Sequence, residues 1–227
     1  MDTHVYIDGF NLYYGMIRGT PYKWLNLEAF CDLLLPKNKV KRIFYFTAKV
    51  DGRDHDLDQP IRQQTYLRAL ATLGRVHVEY GTFLGSVVRR PLVESDPDRP
   101  KRHMEKDGNP VLARNPDGSP KLVHVLKSEE KGSDVNLAAF LLRDAFTRAC
   151  PCAVIISNDS DLLAPLRIAK QECGMVLGLA PPRRRGSIEL KRLADFVVEP
   201  RMHHLERSQF PAALKDATGE FHKPPAS

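Results

Sequence analysis

Three short segments, YIDGFNLYYG, EKGSDVNLA and ISNDSD, gather carboxylates beside residues that turn or cap a backbone. Asp8 ends a β-branched and aromatic run, Asp134 opens a helical stretch, and Asp159 and Asp161 follow the apolar run AVIIS. Carboxylates held within a few ångströms repel and raise one another's pKa, so such a cluster is costly unless a cation neutralises it. A hard ion such as Mg²⁺ suits a set of aspartates without histidine or cysteine. A metal held there would orient water for attack at phosphorus and stabilise charge on the leaving oxygen. The expected ligands are Asp8, Asp134, Asp159 and Asp161. Asn11 would hold Asp8 or a phosphate, Lys131 would contact a scissile or flanking phosphate, and the hydroxyls of Ser157 and Ser160 would support the ligands. Taken singly, each segment is ordinary: Asp8-Gly9 is a turn, and Asn158-Asp159-Ser160 and Lys131-Gly132-Ser133-Asp134 are loops that cap helices. The functional reading rests on all three falling at one end of one sheet.

The elements that would place them there are legible as an alternation. HVYID (4–8) is a buried strand, residues 26–35 a helix capped by Asn26, RIFYFTA (42–48) a strand, 60–73 a helix and 76–83 a third strand. A helix at 133–148, a strand at 153–157, a helix at 161–173, a strand at 175–180 and a short helix at 188–194 continue the rhythm. Strands alternating with helices imply a three-layer α/β/α fold around a mainly parallel sheet of five or six strands. An open parallel sheet binds its ligands beyond the carboxyl ends of its strands, where the aspartates fall. The stretch 89–124 breaks the pattern with proline, glycine and charge and is expected to be an irregular insertion with a turn at NPDGSP. The expected organisation is a domain over 1–200 and a partly disordered tail over 201–227.

A net charge of +6 and a sequence pI near 9.2 favour polyanionic partners. Arg183, Arg184 and Arg185 follow the last strand on the rim that carries the aspartates, and could grip phosphates flanking a reaction site. Tyr13, with Tyr14 and Phe10, could stack on unpaired bases, although aromatics after a strand more often pack inward. Apolar runs are far shorter than a membrane span requires. The N-terminus enters a strand without a basic region and apolar stretch, so the expected location is cytoplasmic. The four cysteines lack the spacing of a zinc knuckle. No Gly-x-Gly-x-x-Gly follows the first strand, which argues against a dinucleotide fold. Phe10 stands where a dehalogenase-type phosphatase has its second aspartate.

The three acidic segments, in this order, resemble the NYN domain family, the LabA-like branch of the PIN-type nucleases, over residues 4–198. The resemblance implies a PIN-like fold and a Mg²⁺- or Mn²⁺-dependent site that cleaves RNA phosphodiester bonds. It carries metal or catalytic roles to Asp8, Asp134, Asp159 and Asp161, and supporting roles to Asn11, Lys131 and Ser157. Asp144 also looks family-like but lies too far along its helix from Asp134 to share the site. The chain departs from some relatives in having a proline-rich insertion without cysteine. The expectation from sequence is a metal-dependent endoribonuclease acting on single-stranded or structured RNA, with a homodimer left open. An RNA-binding or scaffold protein with a vestigial metal site and a small-molecule phosphohydrolase are the alternatives.

Overall fold

Strand β1 (Asp2–Asp8) is buried along all but its first residue, because it pairs on both edges and is covered on both faces. The computed structural model describes residues 1–50, 56–96, 99–102, 110–183 and 186–225. After β1 come a single helical turn α1 (Gly9–Leu12), which runs into a π-helical turn over Tyr13–Ile17, then α2 (Leu27–Leu34), β2 (Lys39–Ala48), α3 (Gln59–Leu70) and β3 (Val76–Pro91). A two-strand pair, β4 (Ser95–Asp96) and β5 (Arg99–Arg102), precedes β6 (Leu122–Lys131), α4 (Ser133–Phe146) and β7 (Cys152–Ile156). A 3₁₀ turn (Ser160–Leu162) leads into α5 (Leu163–Gln171), followed by β8 (Val176–Leu179), α6 (Ile188–Leu193), β9 (Phe196–Val197), α7 (Met202–Arg207), β10 (Ala213–Asp216) and β11 (Gly219–His222).

The central sheet has seven strands in the order β6-β3-β2-β1-β7-β8-β9. Pairs β1/β2, β1/β7, β2/β3, β7/β8 and β8/β9 are parallel. The strand count exceeds the five or six expected because β9 is only two residues long, too short to leave a period in the sequence. Side chains alternate between the two faces. Val5, Ile7, Ile43, Val154 and Ile156 meet Phe30 and Leu34 of α2 and Leu67 and Leu70 of α3 on one side. Tyr6, Phe44, Phe46, Ala153 and Ile155 meet Leu137 and Leu141 of α4 and Leu166 of α5 on the other. The result is the α/β/α sandwich expected. Asn26 caps α2 by accepting from the amides of Glu28 and Ala29, at 3.0 and 3.1 Å.

The chain divides into two compact units, residues 1–82 with 130–227, and residues 83–129. The second takes in the region expected to be irregular, yet it carries strand pairing. Asp96 pairs with Arg99, Val93 bridges Leu112, and the NPDGSP turn closes with Asn115 N–H donating to the Ser119 carbonyl at 2.8 Å.

Residues beyond Pro200, expected to fray, contribute to the core. Leu205, Phe210 and Phe221 are buried. Trp24 packs against Phe210 and Phe221 and donates its indole N–H to the Pro211 carbonyl at 2.8 Å. Arg68 of α3 grips Asp216 with two hydrogen bonds, of 2.6 and 2.8 Å, while its guanidinium lies 4.1 Å from the Phe221 ring centroid. Apolar residues spaced irregularly through a charged tail carry no helix or strand period, although they suffice to anchor it. Among the described residues, no helix is long and apolar enough to cross a membrane.

Candidate functional site

Strand order reverses at β1, with β2 on one side and β7 on the other. Such a switch opens a crevice between the carboxyl ends of the two strands. Asp8 ends β1 at that point, and Ser157, Asn158 and Asp159 follow β7. Asp8 is 3% exposed and caps α1: Oδ1 accepts from the Asn11 amide at 2.9 Å, and Oδ2 accepts from the Asn11 side chain and from Ser157 Oγ at 3.0 Å. Ser157 Oγ in turn accepts from the Asp159 amide at 3.0 Å, and Asn11 Oδ1 accepts from the Asn158 amide at 3.3 Å. Asp159 caps the following turn, accepting from the Asp161 amide at 2.9 Å. Asp8, Asn11, Ser157 and Asp159 thus form one connected network of hydrogen bonds. Asn158 is an exception within it, since neither the oxygen nor the nitrogen of its side-chain amide has a partner.

Asp134 lies in the first turn of α4 and is electrostatically coupled to the same group. Burial first, then the charges of Asp8, Asp159, Glu130 and Asp161, push its carboxyl up to about 6. Burial also raises Asp8, against the hydrogen bonds from Asn11 and Ser157, and the charge of Asp159 adds to the rise. A raised acid binds more protons folded than unfolded, so stability falls as pH rises from the ordinary carboxylate value through about 6. Asp134→Asn should therefore raise the melting temperature at pH 7, and the gain should vanish below pH ~4, checked by melts across that range.

Beside this network lies a cavity of ≈ 210 Å³ that no single stretch of sequence announces. Gly9, the residue after Asp8, lines it together with Phe10, Tyr13, Tyr14, Trp24, Tyr45 and Tyr66. Trp24 and Tyr45 are buried, whereas Tyr14 is 41% exposed. Tyr45 lies against Gly9, and its phenol is pushed upward by burial above all and then by the charge of Asp8. Phe10, Tyr13 and Tyr14, the aromatics that follow Asp8 in sequence, thus form part of the cavity wall. Among the remaining predicted residues, Lys131 is exposed at the end of β6, and Arg183 is exposed with its side chain beside Gly15. Arg184 and Arg185 lie outside the described residues.

A scan against models of known protein families finds none that matches. A curated relative changes the functional reading. The chain is 33% identical over 199 residues to the 6-hydroxy-3-succinoylpyridine 3-monooxygenase of Pseudomonas putida. That match covers 79% of this chain and 59% of the relative, so the chain spans little more than half the relative's length. Among solved structures, a protein of unknown function from Vibrio parahaemolyticus shares the fold, with a TM-score of 0.51 and 15% identity over 88% of this chain and 93% of that one.

The relative overturns the expected metal-dependent ribonuclease and, with it, hydrolysis of phosphodiester bonds: it is named a monooxygenase. The phosphohydrolase alternative falls with that reading. The expected Mg²⁺ or Mn²⁺ site at Asp8, Asp134, Asp159 and Asp161 is also corrected. Among the described residues, no group of three or more histidine, cysteine, aspartate or glutamate side chains is arranged to hold a metal ion. The physical reason lies in the caps. Oδ1 of Asp8 and one oxygen of Asp159 already accept hydrogen bonds that hold local backbone turns, Oδ2 of Asp8 accepts from the side chains of Asn11 and Ser157, and Asp161 is exposed.

A second polar cluster escaped the sequence reading. Asp144 of α4 is 2% exposed and accepts from His4 Nδ1 at 2.7 Å, from the Tyr6 hydroxyl at 2.8 Å and from the Arg143 guanidinium at 2.7 Å. Burial would raise its carboxyl, yet these hydrogen bonds outweigh burial and hold it at about 2. His4 and Tyr6 alternate on β1 with the apolar residues of the opposite face. That two-residue spacing was visible, but its partner 138 residues away was not.

Proposed function

We propose that this chain is an oxidoreductase of the monooxygenase type that acts on a small planar heteroaromatic compound. The observation that carries this reading is the aromatic-walled cavity next to a buried carboxylate network at the strand switch point. A cavity walled by Phe10, Tyr13, Trp24, Tyr45 and Tyr66 suits the faces and edges of one flat ring. The similarity to an enzyme named for oxygenation of a hydroxylated pyridine supports the ring chemistry. One oxygen atom of O₂ would bond to a ring carbon and the other leave as water. The two balancing electrons would come from an external two-electron donor of the dihydronicotinamide class.

A ring hydroxyl offers the protein a handle. Removing its proton makes the ring carbons ortho and para to it electron-rich, which favours transfer of electrophilic oxygen. Asp134, with its carboxyl near 6, is tuned to exchange protons at neutral pH, and Asp8 adjoins the cavity through Gly9. In this role Asp8 and Asp134 are proton acceptors, and Asn11 and Ser157 position Asp8. The α1 turn is a poor seat for a dinucleotide pyrophosphate. It lacks the glycine pattern, and the Asp8 carboxylate already occupies the Asn11 amide at the helix start. No step is therefore routed through a dinucleotide at that turn.

The resemblance to the NYN family at Asp8, Asp134 and Asp159 stays in this reading as a proposed kinship of fold. Kinship of fold does not fix chemistry, which resides in the site built on it.

The test is O₂ consumption with a panel of hydroxypyridines in the presence of a dihydronicotinamide. Consumption that depends on substrate and rises from pH 5 towards 7 is expected, with that limb removed in Asp134→Asn. Uptake indifferent to the ring compound would count against the proposal.

A further inference from the structure

We propose that strand β6 is a docking edge for a second copy of this chain, the two β6 strands pairing antiparallel about a two-fold axis at Val125. The aromatic cavity plays no part in this contact, since none of the residues that line it lies between 76 and 131.

Residues 83–129 form a compact unit with strand pairing of its own, yet none of its described residues is buried. Leu84, Val87, Leu92, Leu122, Val125 and Leu126 are all exposed, Leu126 by 79%. A two-stranded ribbon is marginal in water unless further strands or a helix cover an apolar face. The described residues of the unit supply no such cover. Strand β6 also ends the central sheet. Its ten residues therefore present a row of backbone N–H and C=O groups with no further strand beyond them among the described residues. Proline would blunt such an edge, and LVHVLKSEEK contains none.

The order of charges selects the occupant. A two-fold contact requires a patch complementary to itself. From Lys121 onwards the strand carries lysines first, at 121 and 127, and then the carboxylates of Glu129 and Glu130. With Val125 opposite Val125 of the second copy, an antiparallel ladder sets Lys121 opposite Glu129, twice by symmetry. The same register sets Val123 opposite Lys127 and Leu126 opposite His124. Opposite charges facing each other across two strands stabilise the pair, and like charges oppose it. A parallel pairing in register would set lysine against lysine and glutamate against glutamate. Glu129 already pairs with Lys127 of its own strand, so a lysine from the second copy would extend that pair into a network. Exposed ion pairs contribute little by themselves. The backbone ladder and the covered side chains of Val125 and Leu126 supply the affinity, and the charges fix the register.

The experiment is sedimentation equilibrium of the chain over a wide concentration range at low salt. A reversible monomer–dimer equilibrium is expected. Leu126→Lys should weaken it at least about tenfold, because a leucine covered in the dimer is replaced by a charge on an edge. Lys121→Glu and Glu129→Lys should each weaken it as well, and the chain carrying both exchanges should recover it, since the facing charges are then opposite again. All three side chains are exposed, and far-ultraviolet circular dichroism on dilute samples would show that the variants are folded. A chain that stays monomeric throughout would overturn the proposal and leave the edge to a different partner. Dimers indifferent to Leu126→Lys would overturn β6 as the interface. Dimers weakened by Leu126→Lys but not recovered by the double exchange would overturn the antiparallel register.

Discussion

Asp144→Ala should lower the melting temperature at pH 7 by roughly 10 °C or more, the largest stability effect expected from a single polar residue in this chain. Removing one member of a buried charged cluster costs about 3–5 kcal/mol, because the groups left behind have lost their partner. Here those groups are the His4 ring, the Tyr6 hydroxyl and the Arg143 guanidinium, joined across β1 and α4. A domain of this size shifts by about 2–4 °C for each kcal/mol. Tyr6→Phe, which removes one of the bonds and little volume, should cost only about 1 kcal/mol. The pH dependence gives an independent check. The Asp144 carboxyl is depressed from its ordinary value of 3.8 to about 2, so its stabilisation is complete above that ordinary value and is lost as pH falls through about 2. The gap between wild type and variant should close over that interval in thermal melts.

Gly9→Ala should reduce turnover about a hundredfold while costing only about 1–3 kcal/mol of stability. A Cβ at Gly9 would lie 2.7 Å from the Phe46 carbonyl oxygen and 2.8 Å from the Tyr45 ring and hydroxyl. One obstacle is backbone of the central sheet, so the adjustment must come from the α1 turn or from Tyr45. Either movement displaces Asp8 or the cavity wall, and a misplacement near 1 Å is enough to lose two orders of magnitude in rate. Steady-state turnover compared with Trp24 quenching would separate loss of geometry from loss of binding. Loss of turnover with little loss of stability is the expected pattern.

Much of the scaffold is legible in the residues themselves. The buried runs HVYID and AVIIS become β1 and β7, the Asn26 cap starts α2, and the switch between β1 and β7 brings Asp8, Asn11, Ser157 and Asp159 together. These are local patterns, or consequences of a parallel topology that leaves few choices. The chemistry was misjudged for a related reason. Aspartates at strand ends are equally suited to hold a metal or to cap a turn, and the capping bonds that decide between these roles involve individual atoms. The cavity depends on Tyr13, Trp24, Tyr45, Tyr66 and Lys223, which are separated by whole elements and share no spacing. Tyr13 was visible as an aromatic near Asp8, but the cavity it lines depended on the residues opposite. The tail was misjudged because Leu205, Phe210 and Phe221 act through one partner, Trp24, or its neighbours rather than through a period of their own.

The most direct test of the central claim is mass spectrometry of the product formed from a hydroxypyridine under isotopically labelled O₂, with a dihydronicotinamide as electron donor. The account predicts one labelled oxygen atom bonded to a ring carbon of the product, with the rate of incorporation reduced about a hundredfold in Gly9→Ala. A product that takes its oxygen only from water, or a ring compound returned unchanged while the protein binds it, would contradict the monooxygenase reading.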